Sequence, residues 1–387
     1  MRILHVVPYY HDAWAYGGIP RLASTLVRGL ARRGHDVTVC TTDAADERSR
    51  APIAGDQENG VRVRVFRNLS NRLAYHWQFF TPVGLGSFLR SAAREFDIGH
   101  IHACHNLPGS IAASALRRAR VPYVLSPNGT APRIERRRLA KLAFDLTFGR
   151  RVLPGAARVL AVSAAEQVQL QQAGVEGERV RVLPNPLDDD EFRIPPDGAA
   201  FRTAHDAHDA PLVLYLGKLT PRKGVETLVH AFNRIPDPGA RLVIAGNDMG
   251  AGGRLHDAIA STDDGRVMRI GLLRGRERLD ALAAADVVVY PSRDEVFGLV
   301  PLEALLCGTP VVVCSDSGCG EVIGRIGGGH IVPVGDVAAL AGAIEDILQW
   351  SERWQHRATA AARQARSLFS SDVVCSQLEK VYCEVMS

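Results

Sequence analysis

Short β-branched runs alternate with stretches of helical spacing along this chain, and the alternation stops once before starting again. The first run reads as a strand over Ile3–Pro8, a loop with Tyr16, Gly17 and Gly18, a helix from Ile19 to Arg33, then Gly34 and a strand over Asp36–Thr41. Strand, helix, strand is a crossover unit, and successive units build a parallel sheet with helices on both faces. Strands are expected next at Val61–Phe66, Ile98–Ala103, Val121–Ser126 and Arg158–Val162, with helices at Pro82–Glu95, Ser110–Arg118 and Arg133–Phe148. Between Leu183 and Pro211 prolines and acidic residues break the pattern, which marks a linker. Alternation resumes with strands at Leu212–Leu216, Arg241–Ala245, Val267–Ile270, Val287–Tyr290 and Pro310–Cys314. Helices are expected between them at Gly224–Ile235, Gly253–Ile259, Glu277–Ala284 and Leu299–Leu306, then at Val337–Gln349. With 387 residues the chain exceeds what one core usually holds, so the expectation is an α/β protein of two Rossmann-like, doubly wound domains facing each other across a cleft. The division expected is 1–190, 191–355 and a helical tail, 356–387, packing back on the N-terminal domain.

A composition of 46% hydrophobic and 23% charged residues excludes a disordered chain, and no apolar run reaches the length of a membrane span or a secretion signal, so a cytoplasmic location is expected. The seven cysteines are scattered without a C-x-x-C pair, which predicts neither disulfides nor a zinc site. Charge is uneven: eleven basic residues stand between Ile111 and Arg158 against only Glu135 and Asp145. Such a block is either a solvated helix face or a surface for an anionic partner such as acidic lipid, lipid-linked phosphate or nucleic acid. The alternation of cationic and apolar residues in segment 133–151 fits a peripheral contact with the inner face of an anionic membrane, and no nucleic-acid partner is expected.

The most informative stretch runs from Tyr290 to Val313, YPSRDEVFGLVPLEALLCGTPVVV. A strand ends at Tyr290, and Pro301 is tolerated only in the first turn of a helix that therefore starts near Gly298 or Leu299. Free N–H groups at that start, beside Glu295, suit a diphosphate, and Glu303 lies about one turn further on. In LYLGKLTPRKG, Gly217 and Lys218 end a strand and Lys223 precedes a helix, so two cations can neutralise a diphosphate. The two glutamates separated by seven residues, in this strand, loop, helix and CGTPVVV setting, resemble the signature of glycosyltransferase family 4, whose members are retaining enzymes of GT-B fold. The resemblance implies that Glu295 binds donor-sugar hydroxyls and Glu303 the ribose, with Phe297, Gly298, Leu299 and Val300 along the donor. It implies a diphosphate grip by Lys218 and Lys223, where Lys218 replaces the family's arginine and its bidentate fork. No metal or other cofactor is expected.

The same resemblance makes Gly17 and Gly18 a phosphate-side glycine pair, and Gly271 and Leu272 a backbone contact to the base. Many relatives carry a histidine where Asn128 stands in YVLSPNGT; asparagine can position a substrate but not shuttle a proton. His102, His105 and Arg133 are candidates for acceptor contacts. The function implied is transfer of a sugar from a UDP-, GDP- or ADP-linked donor to a glycan or lipid-linked acceptor, in glycan, surface-polysaccharide or glycolipid biosynthesis. Rival readings are an epimerase or phosphorylase of the same fold and a two-lobed sugar-binding protein; the second normally carries a secretion signal and the phosphorylase a pyridoxal site, for which the chain offers no motif.

Overall fold

The computed structural model describes residues 1–10, 13–51, 60–131, 152–260 and 265–387; the expected helix Arg133–Phe148, the basic segment 133–151 and the acceptor candidate Arg133 lie outside the described residues. The chain forms two compact units, Met1–Pro186 with Ser371–Ser387, and Leu187–Ser370. The tail therefore divides at Ser370, not at 356. Its first helix, Ser351–Phe369, belongs to the second unit because it buries Trp354, Ala358, Ala361, Ala362 and Ala365 there, and only the helix Ser371–Met386 joins the first.

The first unit holds a parallel sheet of seven strands: β1 (Arg2–Val6), β2 (Asp36–Thr42), β3 (Val61–Phe66), β4 (Ile98–His102), β5 (Tyr123–Ser126), β6 (Arg158–Ala161) and β7 (Val180–Val182), in the order β3-β2-β1-β4-β5-β6-β7. The second holds six, β8 (Leu212–Leu216), β9 (Arg241–Ala245), β10 (Val267–Ile270), β11 (Val287–Tyr290), β12 (Val311–Cys314) and β13 (Gly329–Val332), in the order β10-β9-β8-β11-β12-β13. Both are doubly wound, with the order reversing between β1 and β4 and between β8 and β11, and ligands of such sheets bind outside the carboxyl ends of the strands at that reversal. The central strands are buried on both faces, which explains their unbroken apolar runs.

Several elements went unread in the sequence. The supposed linker contains a helix, Gly198–Ala204, and the helices Asn71–Trp77, Ala164–Gln172 and Gly318–Ile326 and the strands β7 and β13 also appear. Gly318–Ile326 carries three glycines, and β7 has three residues, too few to show a period. Ala164–Gln172 is set by its cap: Ser163 accepts from the N–H of Glu166. No helix among the described residues is long and apolar enough to cross a membrane. None of the seven cysteines stands in a disulfide.

The helix Ser371–Met386 covers a buried polar stack in the first unit. His5 on β1 lies beside His100 on β4, His102 follows two residues on, and none has exposed surface. His5 Nδ1 and His102 Nε2 share a hydrogen bond of 3.0 Å, while His100 bonds the hydroxyls of Tyr382 and Ser126, each at 2.7 Å. Burial depresses all three histidines, His102 to about 3. Glu166, equally buried, is pushed the other way, to about 7, although N–H groups of Gly129 and Val162 donate to it.

These shifts predict the acid sensitivity of the fold. Below pH 6.5 unfolding lets three histidines take protons that the folded chain refuses, so each loses up to about 1.4 kcal/mol of stability per pH unit. Glu166 binds its proton in the folded state and opposes this as one group against three. Net loss between about pH 6 and pH 5 should approach roughly 2–3 kcal/mol per unit, read from urea midpoints. A flat profile over that range would show that the stack is not held neutral.

Candidate functional site

At the β8/β11 reversal of the second unit the loops after the two strands are joined, the Arg293 N–H donating to the Arg222 carbonyl at 2.9 Å. Gly224, at φ +64°, follows Lys223; a Cβ there would stand 2.3 Å from the Pro291 carbonyl oxygen, so only glycine lets the two loops approach this closely. The approach puts Lys223 Nζ on the Glu295 carboxylate and 2.6 Å from the Tyr290 hydroxyl, which it donates to. Tyr290 and Ser292 hydroxyls donate in turn to Glu295, at 3.1 and 3.4 Å. Burial works against ionisation of Glu295, but Lys223, Arg222 and Tyr290 outweigh it and hold the carboxyl below its usual range. Burial and the charge of Glu295 push the Tyr290 phenol well above its ordinary value, so it stays a neutral donor.

Beside this network the helix Leu299–Leu306 begins. Its cap is Gly298, at φ +80°, where a Cβ would meet Cys319 Sγ at 2.4 Å. Pro301 falls in the first turn, as expected, leaving the N–H groups of Leu299 and Val300, both half-buried, at the helix start. Phe297 turns inward, 2% exposed, its ring edge on Phe369. Gly217 follows β8, and the Lys218 carbonyl accepts from the Tyr215 hydroxyl at 2.9 Å. Gly271 and Leu272 follow β10, the Gly271 carbonyl accepting from Gly246 at 3.1 Å.

Glu303, expected to bind the ribose, lies deep in the second unit. It is 3% exposed and pairs with Arg278, which also pairs with Glu191 of the segment before the second sheet. Glu295 and Glu303 thus answer to separate cations. Arg278 carried a signal: it stands four residues before Leu282 on the buried face of the helix Gly275–Ala284, where an arginine is out of place unless paired. Tyr290 and Ser292 stood in plain view after an apolar strand without being assigned a role.

In the first unit the corresponding reversal lies between β1 and β4. Gly17, at φ +91°, caps the helix Gly18–Arg32, which starts after β1. After β4 and β5 the non-glycine residues Ala103, His105 and Asn128 adopt left-handed backbone angles, as does Asp294 after β11; such strain collects at functional sites. Asn128 donates to the Ser126 carbonyl at 3.2 Å, its Oδ1 is buried without a partner among the described residues, and Glu166 holds the next N–H, that of Gly129. His105 is half-buried, its Nε2 3.2 Å from the Ala131 carbonyl. His102 belongs to the buried stack and presents no surface to an acceptor. His5, His100 and His102 are the one group of three metal-ligating side chains among the described residues, with ligand atoms within 4.8 Å; His100 already spends both nitrogens on hydroxyls.

Residues 16–191 match Glycosyltransferase Family 4, and residues 199–365 match Glycosyl transferases group 1. The chain is 30% identical to a D-inositol 3-phosphate glycosyltransferase of Xylanimonas cellulosilytica over 95% of its own length and 92% of the relative's. It is 28% identical to a 2-deoxystreptamine N-acetyl-D-glucosaminyltransferase of Streptomyces fradiae, covering 98% and 96%. Its fold is similar to that of Anabaena Alr3699/HepE, solved in complex with UDP and glucose, with a TM-score of 0.79, 21% identity and 99% of each chain covered. Two Rossmann-like units with these matches define a glycosyltransferase of the GT-B class. The chain belongs to glycosyltransferase family 4.

The Glu303–Arg278 pair generates a stability prediction. Arg278→Met leaves Glu303 buried without its cation and should cost about 3–5 kcal/mol in urea unfolding. The double replacement Arg278→Met, Glu303→Met should recover most of that loss, since it removes the stranded charge; additive losses would mean that the two residues act independently.

Proposed function

We propose that this glycosyltransferase is a retaining, metal-independent enzyme that moves a sugar from a nucleoside-diphosphate donor onto an acceptor hydroxyl, in glycan, surface-polysaccharide or glycolipid assembly. The observation that carries the reading is the Lys223–Glu295–Tyr290 network beside the start of the helix Leu299–Leu306, at the reversal point of a doubly wound sheet. The solved neighbours that hold UDP, UDP-glucose or ADP support a nucleotide-sugar donor.

In this mechanism Lys218, Lys223 and the N–H groups of Leu299 and Val300 take the diphosphate, and their positive charge replaces a divalent cation. Glu295, ionised at neutral pH, exchanges its bond to Lys223 for hydroxyls of the donor sugar. The bond from the anomeric carbon to the diphosphate oxygen breaks with its electron pair leaving on that oxygen. The acceptor oxygen attacks on the same face, and its proton passes to the leaving diphosphate. Glu303 holds the ribose side and Gly271 and Leu272 border the base; Gly17, Gly18, Asn128 and His105 keep the roles that the family resemblance implies.

Because Glu295 and a diphosphate compete for Lys223, two replacements should separate. Lys223→Ala should weaken UDP binding and lower donor turnover by about 100-fold or more, whereas Glu295→Gln should lose turnover to a similar degree yet bind UDP at least as tightly as the parent. Calorimetry with UDP, GDP and ADP, and donor consumption with a chelator present, provide the readouts. Unchanged turnover in both variants would remove the proposed site; loss of turnover on chelation would remove metal independence; an inverted anomer in the NMR spectrum of the product would remove retention.

A further inference from the structure

The exposed apolar surface is concentrated in one place. Of twelve exposed large hydrophobic side chains among the described residues, five lie between Leu69 and Val83: Leu69 (69%), Leu73 (46%), Trp77 (59%), Phe79 (39%) and Val83 (52%). The other seven are scattered along the chain. Leu73 and Trp77 stand one turn apart on the helix Asn71–Trp77, whose opposite face buries Asn71 and Ala74. Leu69 precedes the cap Ser70, and Phe79 follows the left-handed residue Gln78 that ends the helix.

This display is built rather than frayed. Asn68, with no exposed surface, donates to the Ser70 carbonyl and to Asn71 Oδ1, and accepts from the Thr81 N–H at 2.7 Å. The Leu69 N–H bonds the Thr81 carbonyl and the Val83 N–H the Arg67 carbonyl, so the segment is pinched at its base. Beneath it Ala74 and Phe80 pack on Tyr9 and Tyr16.

The charge around the segment names the occupant. From Val61 to Arg94 the chain has six arginines and no acidic residue. Among the described residues the neighbouring acids are engaged: Asp36 with Arg62, Asp43 with Arg50, Asp46 with the N–H groups of Arg48 and Ser49, and Glu47 with His76. A second copy of the chain would set arginines against arginines. We propose that this face docks the protein on an anionic lipid bilayer, with Leu69, Leu73, Trp77, Phe79 and Val83 entering the headgroup boundary and Arg67 and Arg72, both exposed, meeting lipid phosphates. Tryptophan favours that boundary because its ring is apolar and its N–H is not. The inference is independent of segment 133–151 and of the proposed catalytic residues.

The test is co-sedimentation of the full chain with phosphatidylcholine vesicles, with and without phosphatidylglycerol. The parent should bind the anionic vesicles about 10-fold or more tightly, and added salt should weaken this. Leu73→Ser with Trp77→Ser should cut binding by about 10-fold while thermal unfolding and donor turnover in solution stay unchanged. Arg67→Ser with Arg72→Ser should lose the preference for anionic vesicles. Indifference of the parent to vesicles, or undiminished binding by the Leu73, Trp77 variant, overturns the proposal. So does light scattering that shows a dimer of the parent which the same variant dissolves, since that would assign the face to a second copy.

Discussion

An all-parallel sheet must be covered on both faces, and this requirement governs where polar chemistry can stand. In β8, β11 and β12 every side chain is buried, so charged groups are driven to the loops at the strand ends. There the winding reverses and leaves room for a ligand. Lys223, Tyr290 and Glu295 meet at that reversal because Gly224 lets one loop pass close under the other. The left-handed angles of Asp294 in this unit, and of Ala103, His105 and Asn128 in the other, mark the same kind of place in each sheet.

The glutamates illustrate two uses of a buried charge. Glu295 accepts from Lys223 and from two hydroxyls at a margin that keeps some exposure, so its partner can be exchanged. Glu303 and Arg278 are nearly sealed from solvent and tied to Glu191, an arrangement in which losing either partner is costly. On the proposed reading the free enzyme is charge-compensated within itself, and donor binding is a trade of one set of partners for another. Such a trade favours selectivity over raw affinity, because a ligand must match what it displaces.

Much of the fold was legible because strand and helix periods are local. The strands Val61–Phe66, Leu212–Leu216, Arg241–Ala245, Val267–Ile270 and Val287–Tyr290 and the helices Leu299–Leu306 and Val337–Gln349 stand where their patterns put them. What stayed hidden was short, glycine-rich or decided by contacts far along the chain. β7 and Gly318–Ile326 lack a readable period. The same holds within the site. Glu295, Lys223 and the helix start were visible as neighbours in two motifs, whereas the Glu303–Arg278–Glu191 chain joins residues 25 and 87 positions apart, which no spacing rule connects. His102 misled for a related reason: a histidine at a strand end looks accessible until His5 and His100 close around it.

The helix Ser371–Met386 contributes Val374, Cys375, Leu378 and Tyr382 to the core that also holds Ile3, Val37 and Ile98. Residues 187–370, the whole of the second unit, intervene. During vectorial synthesis, therefore, the first sheet emerges from the ribosome long before the segment that shields one of its faces. For that interval its apolar face and histidines are open to water and chaperones, while the second unit can close its own sheet. Nascent chains stalled ahead of residue 371 would be the aggregation-prone species, which makes the helix Ser371–Met386 the step that commits the first unit to its native state.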